Sequence, residues 1–223
     1  MLRLVSTLFA AFTAICCTFA LAQAQSPLVK RGDYLVNTIM TCQNCHTPIG
    51  PKGPDFSKAL SGGLVFDEPP FKVTASNITQ DKETGIGNWT DAQIKTLLRT
   101  GKRPDGVQVA EVMPTSFYGI VTERDMDAIV AYLRTVKPVK NKVPDPVYKI
   151  PLPHHAFPGS EKPYTEAMLK DKVKNGFYLA TIGPNSRPPI RWKWVWNTTW
   201  PASGPVLVSR RKPLLETPSC FAN

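Results

Sequence analysis

The 223-residue chain is poor in the residues that most often hold metals or do chemistry, with only three histidines and five cysteines. It has no glycine-rich phosphate-binding loop, which argues against a nucleotide-dependent enzyme. Past the first two dozen residues no apolar run is long enough to span a bilayer, so no membrane-spanning helix is expected in the body of the chain. Acidic residues are in deficit, 17 against 27 basic, giving a formal charge of +10. Much of that excess falls late, in Arg187, Arg191, Lys193, Arg210, Arg211 and Lys212. The mildly basic remainder fits a solvated surface or an acidic protein partner and gives no reason to expect nucleic acid. What abounds is proline, 22 residues in all.

Residues 1–24 read as an export signal: Arg3, an uncharged apolar stretch from Leu4 to Ala20, then the small-x-small sites Ala20-Leu21-Ala22 and Ala22-Gln23-Ala24. Cleavage there predicts a periplasmic product, soluble or peripherally attached at the periplasmic face of the cytoplasmic membrane. It leaves Cys42, Cys45 and Cys220 as the cysteines and His46, His154 and His155 as the histidines.

Helical spacing runs from Pro27 to Thr41, where Leu28, Tyr34, Leu35, Thr38 and Ile39 recur at three- and four-residue steps. Gly32 interrupts it, as a glycine can where another helix packs closely. Residues 47–70 are rich in Gly, Pro and Ser and read as a long irregular loop, a kind that usually covers something. Thr90-Asp91-Ala92-Gln93 is a capping-box start, and Gly101 marks the stop. Thr122 opens a further helix whose apolar face is Met126, Ile129, Val130 and Leu133, and Pro138 ends it. A proline-rich connector over 140–164 follows, expected to be extended, then a short helix over about 165–182. Lys30-Arg31-Gly32-Asp33-Tyr34-Leu35-Val36 and Lys174-Asn175-Gly176-Phe177-Tyr178-Leu179-Ala180 agree at four of seven positions.

The chemistry sits at Cys42-Gln43-Asn44-Cys45-His46. Two thiols on one helical turn can reach the two vinyl groups of a porphyrin, and the adjoining imidazole can reach its iron from the same side. A thioredoxin-like redox pair would need a βαβ setting, and the surroundings read helical. Zinc would need two more ligands, and the remaining candidates lie across the connector. A low-spin haem wants a second axial ligand. Met40 is too near the attachment site, and Met126 lies on an apolar helix face that suits core packing. Met113 precedes a proline in a loop between two helices, where a chain wrapping the far haem face can present its thioether. His154-His155 would give bis-imidazole ligation at lower potential, and the extended connector disfavours it.

Cys42 to His46, Asn77-Ile78-Thr79, Gly85-Ile86-Gly87-Asn88-Trp89, Met113-Pro114 and Ala131-Tyr132-Leu133-Arg134 together resemble the first domain of the multihaem cytochrome c subunits of bacterial membrane dehydrogenases for alcohols, aldehydes or sugar acids. The similarity covers about Val29 to Ile182. It implies an all-α class I cytochrome c domain over 25–139, three to five helices around one haem c. Gly32 and Tyr34 would meet the helix carrying Tyr132 and Leu133, and Trp89 and the Asn77 loop would lie near the haem. It implies a dehydrogenase as electron donor and a quinone, an oxidase or another cytochrome as acceptor. Residues 165–183 resemble the start of a second such domain, but no further Cys-x-x-Cys-His follows. Residues 184–223 instead hold four of the five tryptophans, and are expected to be an irregular tail, out of frame or truncated relative to the family.

Electron transfer through one His46/Met113 haem is the expected function, with no separate catalytic site. The alternatives are a peroxidase-like haem enzyme, which needs an open distal site, and a defective fragment of a multihaem subunit.

Overall fold

The computed structural model describes residues 26–183. The proposed signal segment, Cys220 and the tryptophan-rich tail lie outside the described residues.

Helix α1 (Pro27–Tyr34) starts where the Ser26 hydroxyl accepts the Val29 N–H at 3.2 Å and Pro27 occupies the first turn. The sequence predicts one regular helix to Thr41. Instead the last turn widens into a π-helical segment, Leu35–Ile39, in which Met40 N donates to Leu35 O at 2.8 Å and Cys42 N reaches back to Val36 O at 2.9 Å. Such widened turns recur at functional sites. Thr41 then takes a left-handed φ of 45° and turns the chain into α2 (Gln43–His46).

Helix α3 (Asp91–Thr100) has the predicted capping box, with Gln93 N donating to Thr90 Oγ1 at 3.2 Å and Thr90 N to Gln93 Oε1 at 2.8 Å. Gly101 ends it at φ 68°. Helix α4 (Glu123–Leu133) starts on Thr122, whose hydroxyl accepts the Asp125 N–H at 3.1 Å. Helices α1 and α4 cross at Gly32, where the α4 backbone comes so close that a side chain is excluded: a Cβ there would sit 1.9 Å from Ala128 O. The expected glycine contact is thus present, with Tyr132 at the same crossing.

Leu35, Val36, Ile94, Ile120, Met126 and Ile129 are buried at the centre of the resulting core. Helix α5 (Lys172–Ile182) contributes Tyr178 and Ile182 to that same core. The expected helix from about 165 is broken at Asp171, whose extended backbone and carboxylate, accepting the Val173 and Lys174 N–H groups at 2.9 and 3.0 Å, restart the chain as α5. Tyr178 Oη donates to Asp125 Oδ2 at 2.7 Å, and Arg31 grips both oxygens of the same carboxylate at 2.8 and 2.7 Å. One buried acid therefore ties α1, α4 and α5 together.

The all-α expectation is overturned by two antiparallel sheets. The chain pairs β1 (Ile49–Gly50) with β2 (Gly53–Pro54), and β3 (Val65–Glu68) with β4 (Phe71–Thr74) and β5 (Val147–Tyr148). The stretch 47–70 does look irregular in composition, but Phe71 and Val73 alternate inward and bury with Ala110 in a small second core. That two-residue period makes a strand. The third strand comes from the connector, where Lys72 pairs with Val147 and Phe71 with Tyr148. Further hydrogen bonds tie the connector down, Lys149 N to Pro70 O at 2.9 Å, Phe157 N to Ser116 O at 2.8 Å and Tyr164 N to Ile120 O at 2.9 Å. Among the described residues no helix is long and apolar enough to cross a membrane.

Candidate haem-binding site

Helix α2 is a single turn and cannot hold itself, since nucleation of an isolated helix is unfavourable. Its shape is imposed from outside. Cys42 N is anchored on Val36 O, His46 N closes on Cys42 O at 3.0 Å, and Gly62 N donates to His46 O at 2.6 Å from the following loop. The strained backbone of Thr41, a left-handed conformation costing about 1 kcal/mol or more for a non-glycine residue, directs the chain into this turn.

His46 is buried, and its Nδ1 donates to the carbonyl of Ser76 at 2.7 Å. A carbonyl can only accept, so Nδ1 carries the proton and Nε2 keeps its lone pair. Burial lowers the imidazole pKa, partly opposed by the Ser76 carbonyl. The ring is thus neutral, in one tautomer and in one orientation, which is the state a metal-ligating histidine requires. Cys42 and Cys45 are thiols rather than halves of a disulfide, and both are half-buried. Burial pushes the Cys42 thiol up to about 12. That direction is opposite to the lowered thiol pKa of a thioredoxin-like pair. Among the described residues no group of three or more His, Cys, Asp or Glu could hold a metal ion, and Cys220 lies outside them. Two thiols and a neutral, oriented imidazole on one turn do fit a porphyrin that brings its own iron.

Met113 is partly buried against the main core, as are Cys42, Ile78 and Trp89. A tight turn fixes its backbone, with Met113 N donating to Ala110 O at 2.9 Å and Thr115 N to Met113 O at 2.7 Å. His154 and His155 lie on the connector, half-buried and exposed respectively, outside both cores. Trp89 packs on the core's margin, and its carbonyl accepts Arg134 Nη2 at 2.5 Å. Asn77 is buried and its amide is already engaged: Nδ2 donates to Val139 O at 2.7 Å and Thr84 Oγ1 at 3.0 Å, while Oδ1 accepts Thr79 N at 2.9 Å. Its place beside Ser76 makes it a support for the carbonyl that orients His46.

Sequence reasoning missed Ser76, because a backbone carbonyl leaves no mark in residue type. It also missed Asn37 and the link it makes between Gln43 and Tyr132. Asn37 Nδ2 donates to Tyr132 Oη at 2.7 Å and to Asp33 Oδ1 at 2.5 Å, while its Oδ1 accepts Gln43 Nε2 at 2.5 Å. The available signal was the polar residue at position 37 on an otherwise apolar stretch of helix.

The cytochrome c family matches residues 29–137. The fructose dehydrogenase cytochrome subunit of Gluconobacter japonicus is 38% identical over 133 residues, 59% of this chain and 26% of that protein. The cytochrome c subunit of the quinone alcohol dehydrogenase of Gluconacetobacter polyoxogenes is 33% identical over 195 residues, 82% of this chain and 40% of that protein. The gluconate 2-dehydrogenase cytochrome c subunit of Pantoea cypripedii is 35% identical over 118 residues, 52% of this chain and 25% of that protein. The chain spans between a quarter and two fifths of the length of these curated relatives.

Proposed function

We propose a specific role for this chain, whose residues 29–137 belong to the cytochrome c family: it holds one haem c on Cys42, Cys45 and His46 and carries electrons from a dehydrogenase to a further acceptor. It is a c-type cytochrome, and its chemistry is electron transfer. The observation that carries the site assignment is the His46–Ser76 hydrogen bond, which leaves Nε2 bare and aimed by a buried, neutral ring. Cys42 and Cys45 are the thioether donors. Met113, held in a tight turn at the core's margin, would supply the second ligand to the haem iron. When bound, the haem supplies a one-electron carrier; the protein sets its ligands, dielectric and access.

The donor is a membrane dehydrogenase, because the relatives named above are cytochrome subunits of fructose, alcohol and gluconate dehydrogenases. The acceptor is a quinone, an oxidase or another cytochrome. The chain works outside the cytoplasmic membrane after loss of residues 1–24, at or near its periplasmic face. Residues 25–139 form the haem domain and 140–164 the connector.

Cys42→Ser and Cys45→Ser test the attachment, each expected to cut covalent haem sharply on a denaturing gel. Met113→Ala tests the ligand. It should abolish the weak near-infrared methionine–iron band and lower the potential. Normal haem staining of the cysteine variants refutes the attachment site, and an unchanged spectrum in Met113→Ala moves the ligand to His154 or His155. High-spin iron in the untreated protein would favour the peroxidase-like enzyme.

A further inference from the structure

Gln43 lies in the Cys-x-x-Cys turn, and its side chain leaves the turn to meet another helix. Its Nε2 donates to Asn37 Oδ1 on the π-helical segment. Asn37 spends its amide nitrogen on Asp33, one turn back on α1, and on Tyr132, across the crossing on α4. Both polar atoms of one side chain are thereby used in three hydrogen bonds, each to a different anchor. A fully satisfied network of this kind rigidifies what it joins. The turn it reaches needs such help: Cys42 has no side-chain cap, α2 is four residues long, and the preceding Thr41 is left-handed. Tyr132 stays a neutral hydroxyl, since burial above all, and Asp33 beside it, raise its pKa.

We propose that Asn37 is a positioning residue for haem attachment: through Gln43 it holds the Cys42–Cys45 turn in the one geometry from which both thiols reach a porphyrin at once, and Tyr132 fixes Asn37 from the opposite helix. This rests on the reading of Cys42 and Cys45 as the thioether donors. Each attachment adds a thiol across a vinyl double bond. A carbon–sulfur bond forms, the S–H and π bonds break, and the hydrogen passes to the neighbouring vinyl carbon. Nothing leaves and no oxidant is needed. With one thiol bonded, the second closes only if the turn presents its sulfur at the second vinyl. Freedom at Gln43 therefore shows as singly attached haem rather than as lost haem.

The test uses the full chain expressed with its haem-attachment machinery, as wild type, Asn37→Ala, Gln43→Ala, the double variant and Tyr132→Phe. The reduced pyridine haemochrome separates the products, since one residual vinyl group shifts its α-band to longer wavelength. Mass spectrometry of tryptic peptides counts the thioethers. Urea melting of the haem-free chain reads stability separately. Asn37→Ala and Gln43→Ala should each lower the ratio of doubly to singly attached haem about five-fold, the ratio set by one lost hydrogen bond of about 1 kcal/mol. The double variant should be no worse than either single, because both cut the same link, and Tyr132→Phe should move the ratio the same way by less. Doubly attached haem at wild-type level in both alanine variants overturns the proposal. So do losses that add in the double variant, or that merely follow the fall in stability. Absence of covalent haem from the wild-type chain overturns the attachment site itself, a result the variants' ratio cannot imitate.

Discussion

Gly32 and Gly176 occupy the same place in the seven-residue repeat, and the structure assigns them opposite responses to alanine. At Gly32 a Cβ would stand 1.9 Å from Ala128 O, 2.6 Å from its carbonyl carbon and 2.7 Å from Tyr132 Cβ. Real contacts of this kind stop near 3 Å, so α1 and α4 must part by about 1 Å along their crossing. The neighbour is backbone and cannot swing aside. Overpacking costs about 1–3 kcal/mol, and a backbone clash belongs at the upper end. Alanine returns about 1 kcal/mol of helix propensity. The balance is a loss of about 2 kcal/mol, or about 4–8 °C in Tm for a chain of this size. At Gly176 nothing lies within 4 Å of the added Cβ, and the position is exposed in mid-helix. Only the propensity gain remains there, so Gly176→Ala should stabilise by about 0.5–1 kcal/mol. Urea unfolding of both variants, followed by far-ultraviolet circular dichroism, measures the pair. A neutral or stabilising Gly32→Ala, or a Gly176→Ala that destabilises by more than about 1 kcal/mol, would refute the packing of these helices as described.

Asp125→Ala should cost about 3 kcal/mol, the low end for breaking a buried ion pair because Arg31 stays partly solvated. It strands the buried Tyr178 hydroxyl as well, and a fall in urea midpoint worth less than about 1 kcal/mol would contradict the three-helix tie. The haem-free chain should lose stability between pH 7.5 and 5.5. Burial holds the folded His46 pKa below the ordinary 6.5, so the unfolded chain takes up the proton first, and the contribution, complete above that value, declines as pH falls. His46→Gln should flatten the urea midpoint across this window, and an equal slope in both proteins would exclude His46 as its source.

Much of this arrangement was legible in the sequence because it rests on side-chain type. The capping box at Thr90 and Gln93, the stop at Gly101 and the close helix approach at Gly32 all name residues that few others replace. The attachment turn is legible for the same reason. The strands were not: β1, β2 and β5 have two residues each, too short for alternation to register, and β5 needs Val147-Tyr148 to find β4 some 75 residues earlier. The break in α1 was hidden too. Leu35, Val36, Ile39 and Met40 keep a helical spacing whether the turn is α or π, so the pattern cannot report the wider pitch.

The least legible part of the site is the one that orients its histidine. Ser76 O aims the ring, and Ser76 is held through its neighbour Asn77, whose amide reaches Val139 O and, more weakly, Asn141 O at 3.4 Å. Thr79 Oγ1 accepts Val139 N at 3.1 Å, Thr84 Oγ1 accepts Asn141 N at 3.0 Å, and Asn141 Nδ2 returns to Ser61 O at 2.9 Å. Ser61 in turn stands next to Gly62, whose N–H holds His46 O. The stretch just after α4 therefore links, through side chain to backbone bonds, the two segments that hold the histidine. Each of these bonds pairs one side chain with a backbone group, so the path of the chain along 139–141 matters as much as the residue types that meet it. Asn77 and Asn141 donate from their amides to carbonyls, while Thr79 and Thr84 accept backbone N–H groups on their hydroxyls. The rigidity of the ligand thus depends on where the connector begins as much as on the Cys-x-x-Cys-His turn itself.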